Sequence, residues 1–272
     1  MNKFLFLFFL PLNILAIDPD REYILTPDSI NWDYKELLVT TADGFDLNTW
    51  IYATNPDKEQ DKVLIIAYPD AGNMSYFVYH ASILANLGFT VVTFDYRGFG
   101  KSDDFEIKPN NLFHIEFSND LKSIVDFTDK RFKDKSIGIW GSSMGTMVTT
   151  YAFEDIKDKI DFLIYDAFVY DPIEHIQRIK SLKGKETFSP IDANEYIQKW
   201  KVIDIPILIF AGKEDNITTA QDARANKDKF SIKPEVQIYD GGHLMGFQHK
   251  GDSMGFGGWY SFQMKRFIEE IR

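Results

Sequence analysis

Apolar positions along the chain alternate between short unbroken runs and longer stretches with helical spacing. Val63–Tyr68, Thr90–Phe94, Ser136–Trp140, Asp161–Tyr165, Ile205–Phe210 and Glu235–Tyr239 read as strands. The continuous runs among them suit strands buried on both faces of a parallel sheet. Between them, helices are expected at about Ser75–Leu87, Leu112–Phe127, Thr146–Phe153, Pro172–Leu182, Ala193–Lys201, Thr218–Lys227 and Trp259–Ile271. In the second of these, Leu121, Ile124 and Val125 fall on one face. Strand–helix alternation of this kind predicts an α/β fold, a mostly parallel central sheet with helices on both faces. The opening is different. Lys35–Thr40 and Phe45–Tyr52 flank Ala42-Asp43-Gly44, a tight-turn signal, and predict an antiparallel N-terminal hairpin. Phe45, Leu47, Thr49 and Ile51 share one face, but Trp50 and Tyr52 break the polarity of the other, so the pair reads as partly exposed.

The chemistry centres on Gly141-Ser142-Ser143-Met144-Gly145, between an expected strand and an expected helix. A chain that turns from strand to helix so abruptly leaves the central serine on a strained corner with its hydroxyl exposed. The flanking glycines let strand and helix pass closely. The free N–H groups at the start of the helix would stabilise an oxyanion. A serine hydroxyl needs an imidazole to take its proton and a carboxylate to orient that imidazole. Asp215 follows the strand ending at Phe210, and His243 follows the last strand. Functional groups in such sheets gather at these carboxyl ends. Glu214 is the rival acid and Ser142 the rival nucleophile. His80, His114, His175 and His249 are worse placed: the first two fall in helical stretches, the third in the interval before the strand ending at Phe210, and the last beyond the strand end.

These residues carry a resemblance. Gly141–Gly145, the order Ser143, Asp215, His243, and Asp95-Tyr96-Arg97-Gly98-Phe99-Gly100-Lys101-Ser102 resemble the serine-aminopeptidase-like group of the α/β-hydrolase superfamily. The last stretch is similar to that group's DYRGYGxS loop, and Tyr68-Pro69-Asp70-Ala71-Gly72-Asn73 to its HGNAGN oxyanion loop. The resemblance runs from about Lys35 to the C-terminus and leaves out the leader. It implies the α/β-hydrolase fold, with Ser143 as nucleophile, Asp215 as acid, His243 as base, and the backbone N–H groups of Met144 and Asp70 as oxyanion donors. It implies no cofactor, and no metal is expected because His243 and His249 lack a partnered ligand set. Arg97 is expected to be structural. One departure stands out: the family's His-Gly is Tyr68-Pro69 here. Proline lacks an N–H and fixes φ, so the loop must bend differently. An Asp70 carboxylate would also repel a developing oxyanion unless it points away.

Composition narrows the partners. The net charge of −11 argues against non-specific nucleic-acid binding. With 44% hydrophobic residues, one domain over 17–272 can bury a sizeable core. The absence of cysteine excludes disulfides, thiolate metal sites and cysteine nucleophiles. Met1 to Ala16, with Lys3 before apolar Phe4–Leu10, reads as a signal peptide cut near Ala16, or as an uncleaved anchor. The mature chain is then expected to be periplasmic or secreted, without a stable membrane span. Residues 167–204 occupy the place of a cap, short and charged, and predict a shallow pocket. The expected activity is ester cleavage, of the carboxylesterase or thioesterase type, through an acyl-enzyme. The alternatives are a serine aminopeptidase-like hydrolase of small peptides or amides, with Asp171, Glu174 or Glu186 to hold an ammonium group, and a non-catalytic binding protein. The expected partner is a small ester or amide.

Overall fold

A computed structural model describes residues 16–190, 192–249, 251 and 254–271. The expected signal sequence therefore lies, apart from Ala16, outside the described residues. Eight strands form one sheet: β1 (Tyr34–Thr40), β2 (Asp46–Tyr52), β3 (Lys62–Ala67), β4 (Thr90–Phe94), β5 (Ser136–Ser142), β6 (Phe162–Asp166), β7 (Ile207–Gly212) and β8 (Glu235–Tyr239). Their spatial order is β8-β7-β6-β5-β3-β4-β2-β1. Every pair from β4 to β8 across the sheet is parallel, while β2 runs antiparallel to both β1 and β4. The helices are α1 (Val78–Asn86), α2 (His114–Arg131), α3 (Met144–Ile156), α4 (Pro172–Lys183), α5 (Ala193–Lys201), α6 (Ala220–Asn226) and α7 (Gly258–Glu270).

The central strands are apolar on both sides because both sides are covered. Trp140 of β5 packs on Phe77 before α1 and on Tyr260 of α7. On the other face α2 and α3 pack together, and Tyr196 of α5 stacks on Tyr151 of α3. Only the edge strand β1 of the opening hairpin is substantially exposed; β2 is buried from Leu47 to Tyr52. The irregular apolar pattern of β2 has a direct cause. The leader covers its second face, and Tyr23 and Tyr34 pack edge-on against Trp50.

That leader is the main feature absent from the sequence reading. Asp18–Pro19 pairs in parallel with Ala71–Gly72 of the expected oxyanion loop. The Ala16 N–H donates to the Pro109 carbonyl at 2.7 Å, and Asn73 Nδ2 donates to the carbonyls of Asp20 and Glu22. Further on, the Tyr23 hydroxyl donates to buried Asp95, whose carboxylate also accepts the N–H groups of Met74 and Lys101. Burial pushes the Asp95 carboxyl up to about 6 despite these donors. Leader, oxyanion loop and the glycine-rich loop after β4 are thus tied to one carboxylate.

A tight backbone crossing lies at the start of α3. A Cβ on Gly145 would sit 1.9 Å from the Ala67 carbonyl oxygen at the end of β3. Gly145→Ala should therefore destabilise the fold by about 3 kcal/mol or more, at the upper end of overpacking costs. Chemical denaturation would measure this, with Gly184→Ala as control; Gly184 has a positive φ but open space around it.

Candidate active site

Ser143 sits between β5 and α3 at φ 50° and ψ −113°, a strained backbone for a residue with a side chain. Its N–H donates to the Asp166 carbonyl at 2.9 Å, which fixes the corner against β6. The Ser143 Oγ lies 3.1 Å from His243 Nε2, and His243 Nδ1 lies 2.8 Å from Asp215 Oδ2. The structure thus brings together the three residues singled out at three strand ends. Ser142 points elsewhere, its Oγ buried without a protein partner, and Glu214 is exposed.

Asp215 is held from several sides. Its Oδ1 accepts the N–H groups of Ile217 and Thr218 at 2.7 and 3.0 Å, and its Oδ2 accepts the Thr218 hydroxyl at 2.6 Å. Burial alone would raise its carboxyl, but the His243 hydrogen bond and charge, with Thr218, bring it down to about 2. It stays ionised at neutral pH and keeps an acceptor on Nδ1. Nothing in the sequence marks Thr218 as part of this arrangement; its position three residues after Asp215 is that of an ordinary turn donor.

Met144 is the first residue of α3, so its N–H has no acceptor within the helix. Asp70 lines the same cavity. The Tyr68-Pro69 departure is accommodated by burial: the Tyr68 ring packs among Tyr96 and Phe99, and its hydroxyl accepts the Tyr96 N–H at 3.2 Å. The Asp70 carbonyl is pinned by the Asp18 N–H at 3.0 Å. Arg97 lies away from this cavity. Its guanidinium pairs with buried Asp120 and with Asp43, 2.7 Å each, over the Phe45 ring.

The cavity over Ser143 has a volume of about 390 Å³. Its walls come from the oxyanion loop, the start of α2, the start of α3, α4 and the leader. None of the carboxylates considered for ammonium binding lines it. Asp171 caps α4, Glu174 pairs with Arg178, and Glu186 pairs with Lys180. The carboxylates that do line it are Asp18, Asp20 and Asp70, two of them from the leader.

The family model described as serine aminopeptidase, S33, matches residues 61–190. The chain is 26% identical over 259 residues to the uncharacterized protein YfhR of Escherichia coli O157:H7, covering 92% of this chain and 84% of that one. It is 27% identical over 192 residues to the lysophosphatidylserine lipase ABHD12 of Danio rerio, covering 62% and 48%. Among solved structures, the Pyrococcus furiosus esterase Pf2001 superimposes with a TM-score of 0.75 at 20% identity, covering 94% of this chain and 98% of that one. The chain has the α/β-hydrolase fold. Among the described residues no helix is long and apolar enough to cross a membrane.

One further carboxylate lies behind the Ser143 turn. Asp166, at the end of β6, accepts the hydroxyls of Tyr239 and Tyr260 at 3.2 and 3.0 Å. Burial pushes its carboxyl up to about 7, against those hydrogen bonds and the nearby His243. An acid raised above its unfolded value contributes stability that is present below that value and lost as pH rises through the folded one. The folded protein should therefore lose stability between about pH 4 and pH 7 on this account. Urea denaturation at pH 5 and pH 8 should show a larger drop for wild type than for Asp166→Asn. Equal drops would remove Asp166 from the pH dependence.

Proposed function

We propose that this chain is a serine hydrolase that cleaves esters, of the carboxylesterase or thioesterase type, through an acyl-enzyme. The observation that carries the reading is the unbroken relay from Ser143 Oγ through His243 to Asp215, opening on a cavity at the carboxyl ends of the strands. The esterase and lipase among its relatives support it. In this reading His243 Nε2 takes the proton as Ser143 Oγ attacks the ester carbonyl. Asp215 holds the imidazole in the tautomer that can accept it. The negative oxygen is met by the N–H groups of Met144 and Asp70. The proton on His243 then passes to the leaving alcohol. Water repeats the sequence on the acyl-enzyme, with His243 again as base. The imidazole serves as base only when neutral.

Replacing Ser143 with Ala should lower kcat by on the order of 10⁴ or more, and Asp215→Asn should cost far more than Glu214→Gln. Steady-state kinetics on p-nitrophenyl butyrate would measure both. Near-normal turnover by Ser143→Ala would remove the nucleophile assignment.

A second reading, hydrolysis near a peptide amino terminus, is favoured by one observation: Asp18, Asp20 and Asp70 line the cavity and could meet an ammonium group. Two lysines, Lys183 and Lys185, line it as well and weaken that case. Aminoacyl p-nitroanilides turned over faster than matched esters would favour it. A binding protein without catalysis would turn over neither. Export, if the first sixteen residues act as a signal, would place the activity outside the cytoplasm; sequencing the N-terminus of the protein recovered from cells would test this.

A cavity of this size under a short insertion should reward only short acyl groups. Each methylene contributes about 0.8 kcal/mol only while it is still being buried. With p-nitrophenyl esters from acetate to palmitate, kcat/KM should rise over the first carbons and flatten or fall beyond about eight. A steady rise to palmitate, or a jump in rate on an emulsion, would instead assign the exposed Ile173, Leu182 and Phe188 of the insertion to a lipid surface.

A further inference from the structure

Native proteins seldom leave buried polar atoms unpaired, because the lost hydration is not regained. Among the described residues nine buried side-chain nitrogen or oxygen atoms have no protein partner. Three of them, His114 Nδ1, His175 Nδ1 and Thr187 Oγ1, belong to residues lining the one cavity over Ser143. They are far apart in sequence and come from α2, α4 and the loop after α4. Unpaired polar groups on several residues lining one cavity are what a binding site for a polar group requires.

Their chemistry narrows the group. Burial lowers both imidazoles to about 3, so each is neutral at physiological pH and neither attracts an anion. His114 is fully buried, with its Nε2 3.0 Å from the Met147 sulfur. A thioether can only accept, so Nε2 carries the proton and Nδ1 is left as an acceptor. It therefore calls for a donor on the ligand. Thr187 can donate or accept, as can His175 according to its tautomer. The charged residues of the cavity, three aspartates and two lysines, come in both signs and select no ion. An aliphatic hydroxyl, a donor and an acceptor without charge, meets these requirements. Leu112, Met147 and Ile179 beside them suit the carbon chain that bears it.

The wall is also pre-organised. The segment carrying Thr187 is hydrogen-bonded to the approach to α2, Leu112 N–H to Phe188 carbonyl at 2.9 Å and Phe188 N–H to Asn110 carbonyl at 2.7 Å. His175 lies in the first turns of α4, which Asp171 caps through the N–H groups of Ile173 and Glu174. One turn on, Arg178 ties α4 to Asp222 of α6. The donors and acceptors are therefore fixed before a ligand arrives, which lowers the cost of binding it.

We propose that His114, His175 and Thr187 form a hydrogen-bonding subsite that selects esters bearing a hydroxyl group, rather than plain alkyl esters. The proposal rests on the esterase reading above, and its test separates the two. Two matched pairs place the hydroxyl on either side of the ester: propyl against 2,3-dihydroxypropyl butyrate, and methyl hexanoate against methyl 6-hydroxyhexanoate. In wild type one pair should favour its hydroxylated member about tenfold or more in kcat/KM, since a site built around a substrate hydroxyl discriminates against the analogue lacking it. His114→Leu and Thr187→Val should each lower that ratio several-fold. His114→Asn, which keeps an amide oxygen near Nδ1, should retain more of it. Thr187, half-buried on the insertion, gives a readout even where the His114 variants fail to fold. Ratios near one for both pairs in wild type would mean that these atoms serve water only, and would overturn the subsite while leaving the esterase intact. If no ester is cleaved, the esterase reading fails, and calorimetry with two uncleavable ethers decides the subsite. Tighter binding of 3-butoxypropane-1,2-diol than of 1-butoxypropane, lost in Thr187→Val, would support it; equal binding would overturn it.

Discussion

The structure depends on one close crossing. Helix α3 begins directly over the end of β3, with no space for a Cβ between Gly145 and the Ala67 carbonyl. That approach forces the chain to turn within a single residue, and Ser143 takes the strained backbone that results. The strain lifts the hydroxyl clear of the sheet and leaves the first N–H groups of α3 beside it. A second close approach brings the partners in. Neighbouring strands lie about 4.8 Å apart, and two others separate β5 from β8. His243 must therefore reach back across the sheet. It does so where the loops after β7 and β8 touch: a Cβ on Gly212 would lie 2.7 Å from the carbonyl oxygens of both Gly241 and Gly242. The Glu214 N–H donates to the Gly241 carbonyl at the same place. Glycine at these positions is thus the condition for serine, imidazole and carboxylate to meet.

Buried carboxylates hold the loops around that meeting point, each in its own way. Asp120 is paired with Arg97 and fixes the turn after β4. Asp95 gathers backbone N–H groups from two loops together with the Tyr23 hydroxyl. Asp166 is held by two tyrosines behind the elbow. Only Asp215 has an imidazole as its partner, and among Asp95, Asp166 and Asp215 it alone is shifted down, while burial pushes the other two up. The same side chain therefore serves as loop anchor or as orienting group according to what faces it.

The sheet and the meeting of Ser143, Asp215 and His243 were legible because each leaves a local mark. Buried parallel strands read as unbroken apolar runs, and the Gly-x-Ser-x-Gly turn has a fixed spacing. Asp215 and His243 then stood out as the polar residues just past strand ends. What was not legible acts through long-range contact. The leader docks by backbone hydrogen bonds, Asp18 to Asp70 and Asp20 to Gly72, which impose no side-chain pattern. Its docking explains both the buried face of β2 and the presence of Asp18 and Asp20 in the cavity, where Asp171, Glu174 and Glu186 had been considered instead. His114 reads as a helix residue and His175 as part of the insertion, because no spacing in the sequence reveals that α2 and α4 face one cavity.

In the proposed mechanism Ser143 is made nucleophilic by His243 and Asp215. A fluorophosphonate reagent reports on that directly, since it captures an activated serine without requiring the natural substrate. Intact-mass and peptide analysis after labelling should find one phosphonyl group per chain, on Ser143, with labelling of His243→Gln and Asp215→Asn slowed by orders of magnitude. Labelling on Ser142, or labelling of Ser143 at the same rate in both variants, would contradict the account.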